Sequence, residues 1–326
     1  MNSASPSPMP LIARYPALER IPRVSLRGDA TPTPVEQASA VHANLWIKRD
    51  DLCADPLGGN KVRALEFLLG PVRAGDRVVT VGSEGSTHAL AVATYGANIG
   101  ARVFVGRWRQ EMNAAAERVS RLVAERAERS PVFRSVAAAY LWAWMQRLQG
   151  ARWIAAGGST PLGILGHVNA GLELVDQIDR GELPEPSYVV TPLGTGGTMA
   201  GLALAFAIAG RRITVVGARV VPRIVARLSH VRSLAHRTAS LIERHTGLAV
   251  PRVSGRLIVE HTTYGGAYGR ETDAGRGAAR RLRASMPITL DATYSAKAFA
   301  HAIDLAARGT TLFWLTFDSR SLDIGS

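Results

Sequence analysis

The sequence predicts an α/β protein with open, mostly parallel sheets. Three observations carry that expectation. From Leu45 to Phe317, short β-branched or apolar runs alternate with helical segments. Three of the junctions ahead of helices are rich in glycine, as βα units with a ligand at the strand ends require. The composition, 47% hydrophobic and 20% charged over 326 residues, is globular and excludes a disordered chain. At ~150 residues per domain, the length suggests two domains or one large α/β unit.

The elements follow in chain order. Residues 1–44 are rich in proline and serine, with TPTP at Thr31–Pro34, and predict an extended lead-in with turns. Leu45–Ile47 is a short strand. Lys61–Arg73 carries Leu65, Leu68, Leu69 and Val72 at i, i+3, i+4 and i+7, a helix face. Val78–Val81 is a β-branched strand ending in glycine. His88–Ile99 is small and apolar and suits a buried helix. Arg102–Val105 is the next strand, and Asn113–Arg129 and Val136–Leu148 are helical. Trp153–Ala156 predicts a strand and Ile164–Ile178 an amphipathic helix. Tyr188–Thr191 is a strand, followed by a glycine loop and the apolar helix Thr198–Ala209. The strands Ile213–Val216 and Arg256–Val259 flank a long basic helix. Ser295–Arg308 is a helix and Thr311–Phe317 the last strand. The alternation implies a parallel sheet with helices on both faces.

Composition also narrows function. Cys53 is the one cysteine, which excludes an intramolecular disulfide and a multi-cysteine metal site. It suits a small packing residue. The eight histidines show no metal spacing. The formal charge is +13, carried by arginine apart from three lysines, Lys48, Lys61 and Lys297. The arginines gather loosely at Arg118–Arg129 and Arg211–Arg237, in amphipathic patterns rather than polybasic blocks, so a nucleic-acid partner is not expected. The start, MNSASPSPMP, has neither the charged nor the apolar region of a signal peptide. The longest apolar run, Met199–Ala209, is shorter than the ~20 residues of a membrane span. A cytoplasmic protein with no membrane partner is expected.

Three loops hold candidate chemistry. Gly58-Gly59-Asn60-Lys61 precedes a helix. Its glycines let backbone approach a ligand, and the helix dipole beside a dry surface favours a neutral lysine amine able to form a Schiff base. Read alone, the segment is more readily a glycine turn with a solvent-exposed lysine. Gly194-Thr195-Gly196-Gly197-Thr198 joins an apolar strand to an apolar helix. Free N–H groups at that helix start, with two hydroxyls, fit one phosphate. No Gly-Lys-Ser/Thr follows, and Met199 stands where a dinucleotide fingerprint has its third glycine. Gly82-Ser83-Glu84-Gly85-Ser86-Thr87-His88 has small hydroxyls at a helix start and suits a carboxylate, though His88 alone suits a cap or core position. Tyr264, Tyr268 and Tyr294 are candidate acids or bases, a role that needs a lowered pKa.

The order of these motifs resembles the 1-aminocyclopropane-1-carboxylate deaminase and D-cysteine desulfhydrase family. KRDDL at Lys48–Leu52 and GGNKVRALEFLL at Gly58–Leu69 begin the match. TVGSEGSTHALAVATYGANIG resembles the family's serine loop and helix. GGSTPLGILGHVNAGLEL at Gly157–Leu174, GTGGTMAGL and LDATYSAKA continue it, and the resemblance spans roughly residues 14–317. It implies pyridoxal phosphate as cofactor and the two-domain tryptophan-synthase-β-like architecture, fold type II. The large domain would comprise residues 1–54 plus 163–326, the small one 55–162, with the cofactor between them. It implies a homodimer as well.

Carried over by position, Lys61 is the Schiff-base lysine, Asn60 lies by the ring, and Gly194, Thr195, Gly196, Gly197 and Thr198 hold the phosphate. Ser86, Thr87 and His88 face the substrate carboxylate, Ser86 counting also as catalytic. Tyr294, with Tyr268, lies over the substrate as acid or base. Three positions depart from the family pattern. Thr87 replaces an asparagine, Ala292-Thr293 a Pro-Val, and Thr316-Phe317-Asp318 a Thr-Gly-Gly, leaving Thr316 and Ser295 as candidate partners of the pyridine nitrogen. The implied reaction acts on a small amino acid. Cα deprotonation and β-elimination would give pyruvate, ammonia and sulfide. Ring opening of the cyclopropane substrate, β-replacement, and a non-catalytic amino-acid-binding role stay open.

Overall fold

Strand residues here alternate between two apolar environments, and that alternation sets the layers. The computed structural model describes residues 9–27, 32–55, 57–319 and 322. The opening residues, Thr31 and the last few positions therefore lie outside the described residues. The larger sheet contains β1 (Val35–Gln37), β2 (Leu45–Lys48), β7 (Tyr188–Leu193), β8 (Thr214–Arg219), β9 (Leu257–Glu260) and β10 (Thr311–Trp314), in the order β1-β2-β10-β7-β8-β9. Only β1 pairs antiparallel, to β2; the other pairs of this sheet are parallel. A smaller parallel sheet has the order β5-β4-β3-β6, from β3 (Arg77–Ser83), β4 (Arg102–Trp108), β5 (Val132–Phe133) and β6 (Arg152–Trp153).

Both sheets bury both faces, so their central strands read as nearly continuous apolar runs. On the larger sheet, Leu312 and Trp314 join the core formed with α6 (Pro161–Asp179), α7 (Gly197–Ile208) and α8 (Leu228–Thr246). Phe313 and Leu315 face the other way, onto α9 (Asp273–Arg283) and α10 (Ser295–Ala306). On the smaller sheet, Val78, Val103 and Val105 pack with α2 (Asn60–Leu68), α3 (Thr87–Asn98) and α4 (Ala114–Arg126). Val79, Val81 and Phe104 pack instead with α5 (Val136–Leu148). Each fully buried Val, Leu or Phe contributes roughly 1.5–3 kcal/mol relative to an exposed one.

The structure corrects several expectations. The lead-in is not simply extended. It forms α1 (Pro10–Arg14), a 3₁₀ turn at Pro16–Arg20 and β1. Leu11, Ile12, Tyr15, Leu18 and Ile21 join the core around α6, which stabilises a helix too short to stand alone. The first helix after β2 stops at Leu68, not Arg73, because Gly70-Pro71 follows. The strand expected at Trp153–Ala156 ends at Trp153, and a 3₁₀ turn over Ala156–Gly158 replaces the rest. The last strand ends at Trp314, and Phe317 instead forms an isolated bridge with Gly59. Helix α6 is buried along most of its length rather than amphipathic. Helix α9 and strand β5 were not expected.

Beneath these layers lies a water-excluded cluster of four charges. Arg63 and Lys48 are fully buried, with Asp50 and Glu173. Arg63 donates to Asp50 Oδ1 from Nε (2.7 Å) and to Glu173 Oε2 from Nη1 (2.9 Å). Lys48 donates to Glu173 Oε1 (2.7 Å), to the Thr33 carbonyl (2.7 Å) and to Gln177. Trp314 Nε1 donates to Asp50 Oδ2 (3.0 Å). The cluster thereby ties β2, α2, α6 and β10 together. Helices α2 and α6 meet so closely that a Cβ on Gly166 would stand 1.9 Å from the Arg63 carbonyl oxygen. Burial pushes the Glu173 carboxyl up, but Arg63 and Lys48 outweigh it and hold Glu173 well below the usual carboxylate range.

Glu173→Ala, which leaves Lys48 without a carboxylate and Arg63 with Asp50 alone, is expected to cost about 3–5 kcal/mol in urea unfolding. The stability that Glu173 supplies is fully present above its unfolded value of 4.5 and is lost as pH falls from there towards its depressed folded value. Glu173→Gln should flatten that acid limb of the stability profile.

Candidate active site

The chain just after β2, β3, β7 and β10 lines one cavity of about 670 Å³. Parallel sheets place ligands at the carboxyl ends of their strands, and that is where these segments lie. Lys61, Asn60, Ser86, Thr87, His88, Gly194, Thr195, Gly196, Gly197, Thr198, Tyr268, Tyr294 and Thr316 all line it. Ser295 does not; it is fully buried in the first turn of α10.

Lys61 sits in the first turn of α2, facing the cavity. Its approach is set by Gly59, at φ 140°, where a Cβ would meet the Thr316 carbonyl oxygen at 2.4 Å. The Asn60 N–H donates to that same carbonyl (3.0 Å). Burial of the amine lowers its pKa to about 8, while the residue keeps partial access through the cavity. The amine is therefore far more often neutral than on a surface lysine. Asn60 Nδ2 donates to Thr198 Oγ1 (2.7 Å), joining the lysine loop to the glycine loop.

The glycine loop begins α7 with Gly196 in the left-handed region (φ 88°) as N-cap and no side-chain cap. The first N–H groups of a 12-residue helix thus point into the cavity region unclaimed by a side chain. A Cβ at Gly194 would meet nothing within 4 Å, so the backbone there is open to a ligand. Ser159 and Thr195 share a hydroxyl hydrogen bond of 2.6 Å across the cradle. His230, on α8, hydrogen-bonds the Thr195 backbone. Nothing local in the sequence signals this contact, because it joins segments 35 residues apart. The donor set fits one phosphate and the amine fits an aldehyde, so the residues present suit pyridoxal phosphate.

The third loop is divided in its roles. Ser86 Oγ accepts from the Ala89 N–H (3.2 Å) and so caps α3. Thr87 is free to face the cavity. His88 is buried against Thr80 Oγ1 (3.0 Å), and burial, aided by Lys61, pushes its pKa down to about 3. It stays neutral at working pH. The Tyr268 and Tyr294 hydroxyls hydrogen-bond each other, with rings edge-to-face at 5.8 Å. Burial raises the Tyr268 pKa, opposed by Ser83 and helped by Asp291. Tyr268 is therefore held protonated, the reverse of the lowered pKa that a base needs. Tyr264 is turned elsewhere: Arg219 stacks on its ring at 4.1 Å and Lys297 donates to its carbonyl (3.0 Å). Asp291 accepts from the Tyr294 and Ser295 N–H groups (2.7 and 3.0 Å), which fixes the start of α10. Cys53 is buried beside Gly59, and burial pushes its thiol up to about 12, so it packs rather than reacts.

A parallel α/β fold with a neutral-leaning lysine facing an uncapped glycine cradle defines a class of aldehyde-cofactor enzyme. The chain belongs to the pyridoxal-phosphate dependent enzyme family, whose pattern it matches over residues 26–312. It uses pyridoxal phosphate and is an enzyme of the lyase and deaminase type, with fold type II architecture. It is 32% identical over 327 residues to nocardicin C-9′ epimerase of Nocardia uniformis subsp. tsuyamanensis, covering 93% of this chain and 94% of that one. It is 28% identical over 323 residues to D-cysteine desulfhydrase of Serratia proteamaculans, covering 89% and 90%. A solved structure described as an ACC deaminase homologue superposes with a TM-score of 0.79 at 27% identity, over 96% of this chain and 95% of the other. Among the described residues, no helix is long and apolar enough to cross a membrane.

Lys48 and Lys297 are both buried, so Lys61 is the exceptional ε-amine of the described residues. In cofactor-free protein, an amine-acylating reagent is expected to label Lys61 selectively, with a midpoint near pH 8. Peptide mapping checks this, and labelling spread over the buried lysines would contradict it.

Proposed function

We propose that the protein binds pyridoxal phosphate through Lys61 and removes the Cα proton of an amino acid, with β-elimination of the D-cysteine desulfhydrase kind. One observation carries the reading: the lowered-pKa amine of Lys61 shares a cavity with both the α7 cradle and the Ser86–His88 loop. The phosphate would lie on the N–H groups of Gly194–Thr198, with Asn60 by the ring and Thr316 by the pyridine nitrogen. Ser295, which sits behind the cavity wall, would act only by fixing the start of α10. The bound cofactor supplies an electron sink for the electrons left at Cα.

The chain supplies the rest. Thr87 and the α3 N-terminus receive the substrate carboxylate. Lys61, freed when the substrate amine takes its place, accepts the Cα proton on Nζ. The paired hydroxyls of Tyr268 and Tyr294 donate a proton to the departing sulfur. Elimination releases sulfide and 2-aminoacrylate, and water hydrolyses the latter to pyruvate and ammonia.

A second reading is epimerisation, in which a proton returns to Cα on the other face. The protonated tyrosine pair supports it, as does the 32% relative named as an epimerase. The two sheets are drawn from residues 77–153 and from residues outside that span, which supports a small domain of 55–162 and a large domain of 1–54 plus 163–326. The exposed apolar side chains Leu141, Trp144 and Leu148 on α5 support a homodimer.

Protein loaded with pyridoxal phosphate should show a visible absorption band that borohydride fixes on Lys61 and that shifts with D-cysteine. Sulfide and pyruvate release would then mark elimination. Deuterium uptake at Cα from heavy water without sulfide would mark epimerisation. Lys61→Ala should lower turnover by roughly 10²–10⁴-fold. An unchanged rate in that variant would sink the catalytic reading.

A further inference from the structure

We propose that the substrate is an α-amino acid whose side chain carries an aryl group, and that Trp108 and Tyr140 form its binding wall. This rests on the reading of the Lys61 cavity as the substrate site with Cα deprotonation, and of the two outcomes above it favours epimerisation, because the side chain it calls for is larger than that of D-cysteine.

The cavity that holds Lys61 extends past the cofactor and carboxylate loops to the end of β4 and the start of α5. There the Trp108 and Tyr140 rings stack at 6.3 Å with an interplanar angle of 22°. Trp153 backs Tyr140 at 6.0 Å, so the wall is held from behind before any ligand arrives. Val136, in the first turn of α5, also lines the cavity, at 48% exposure, and Tyr140 is 42% exposed. Large apolar side chains left wet in a concave site mark a surface made for an apolar partner.

Location decides which part of the ligand meets this wall. Ser83 pairs with Trp108 across β3 and β4, and the Glu84 N–H donates to the Trp108 carbonyl (3.0 Å). The wall therefore adjoins the loop at the start of α3, the end of the cavity assigned to the amino acid. The phosphate cradle lies on the other sheet, after β7. A side chain leaving Cα towards β4 meets two aromatic faces. A thiol or methyl group would leave both unfilled.

The test uses the cofactor-loaded enzyme with racemic O-benzylserine and racemic alanine. Calorimetry reads binding, and deuterium uptake at Cα reads chemistry. O-benzylserine is expected to bind at least about tenfold more tightly than alanine. Trp108→Ala and Tyr140→Ala should each erase most of that preference, with the alanine Kd changed less than about twofold. Tyr140 lies on an exposed helix, so its variant keeps the test valid if Trp108→Ala misfolds. Equal affinity for the two ligands, or a preference that survives Tyr140→Ala, overturns the proposal. Tight, variant-sensitive binding without deuterium uptake upholds the wall and overturns the Cα reading. Uptake by alanine with no aryl preference does the reverse.

Discussion

Four charges sealed from water set the position of the Lys61 amine. Arg63 lies two residues beyond Lys61 on the same helix, and its guanidinium is held between Asp50 and Glu173. The two cations and two anions balance, so the core tolerates them only as a complete set. Any rotation of α2 that displaced Lys61 would pull Arg63 away from both carboxylates. An apolar core of equal volume would hold α2 against α6 with less directional control. The ion cluster fixes angle as well as contact, through bonds that end on β2, α6 and β10 at once.

Upon that base, three helices begin at one cavity. The N-termini of α2, α3 and α7 bring Lys61, Ser86 and Gly196 to a common space. Their dipoles sum to a positive potential there. Such a field suits a phosphate and a carboxylate together. It also disfavours an ammonium, in the same direction as the burial that lowers the Lys61 pKa. In the proposed site, binding of anions and activation of the amine thus share one physical origin. The Asn60–Thr198 hydrogen bond links two of the three termini, so the lysine and the cradle keep a fixed relation.

How much of this was legible in the sequence depended on range. The alternation of strands and helices was readable because each element carries its own period. The loops at Gly58–Lys61 and Gly194–Thr198 were readable because each is contiguous. The ion cluster was not, although KRDDL drew notice as a motif. Lys48 meets Glu173 across 125 residues, and nothing local tells a buried lysine from a surface one. Trp108 and Tyr140 escaped for the same reason, since stacking depends on how α5 settles on β4. Ser295 was placed near the cofactor by its neighbours in the chain, yet its helix turns it inward. The first helix was hidden by its prolines, which start short helices as readily as they break long ones.

The last strand of the larger sheet is not at its edge. β10 lies between β2 and β7, and the residues just after it close the lysine loop through Thr316 and Phe317. During synthesis, β2 and β7 leave the ribosome long before the strand that joins them. The gap must be filled by a segment made more than a hundred residues after β7, ~6–24 s later at 5–20 residues per second. The lysine loop therefore matures late. A nascent chain that has not yet made β10 has Lys61 and the Gly194–Thr198 loop but not the seam that aligns them. Alignment of the lysine loop with the glycine loop thus waits on β10, although both loops are made earlier.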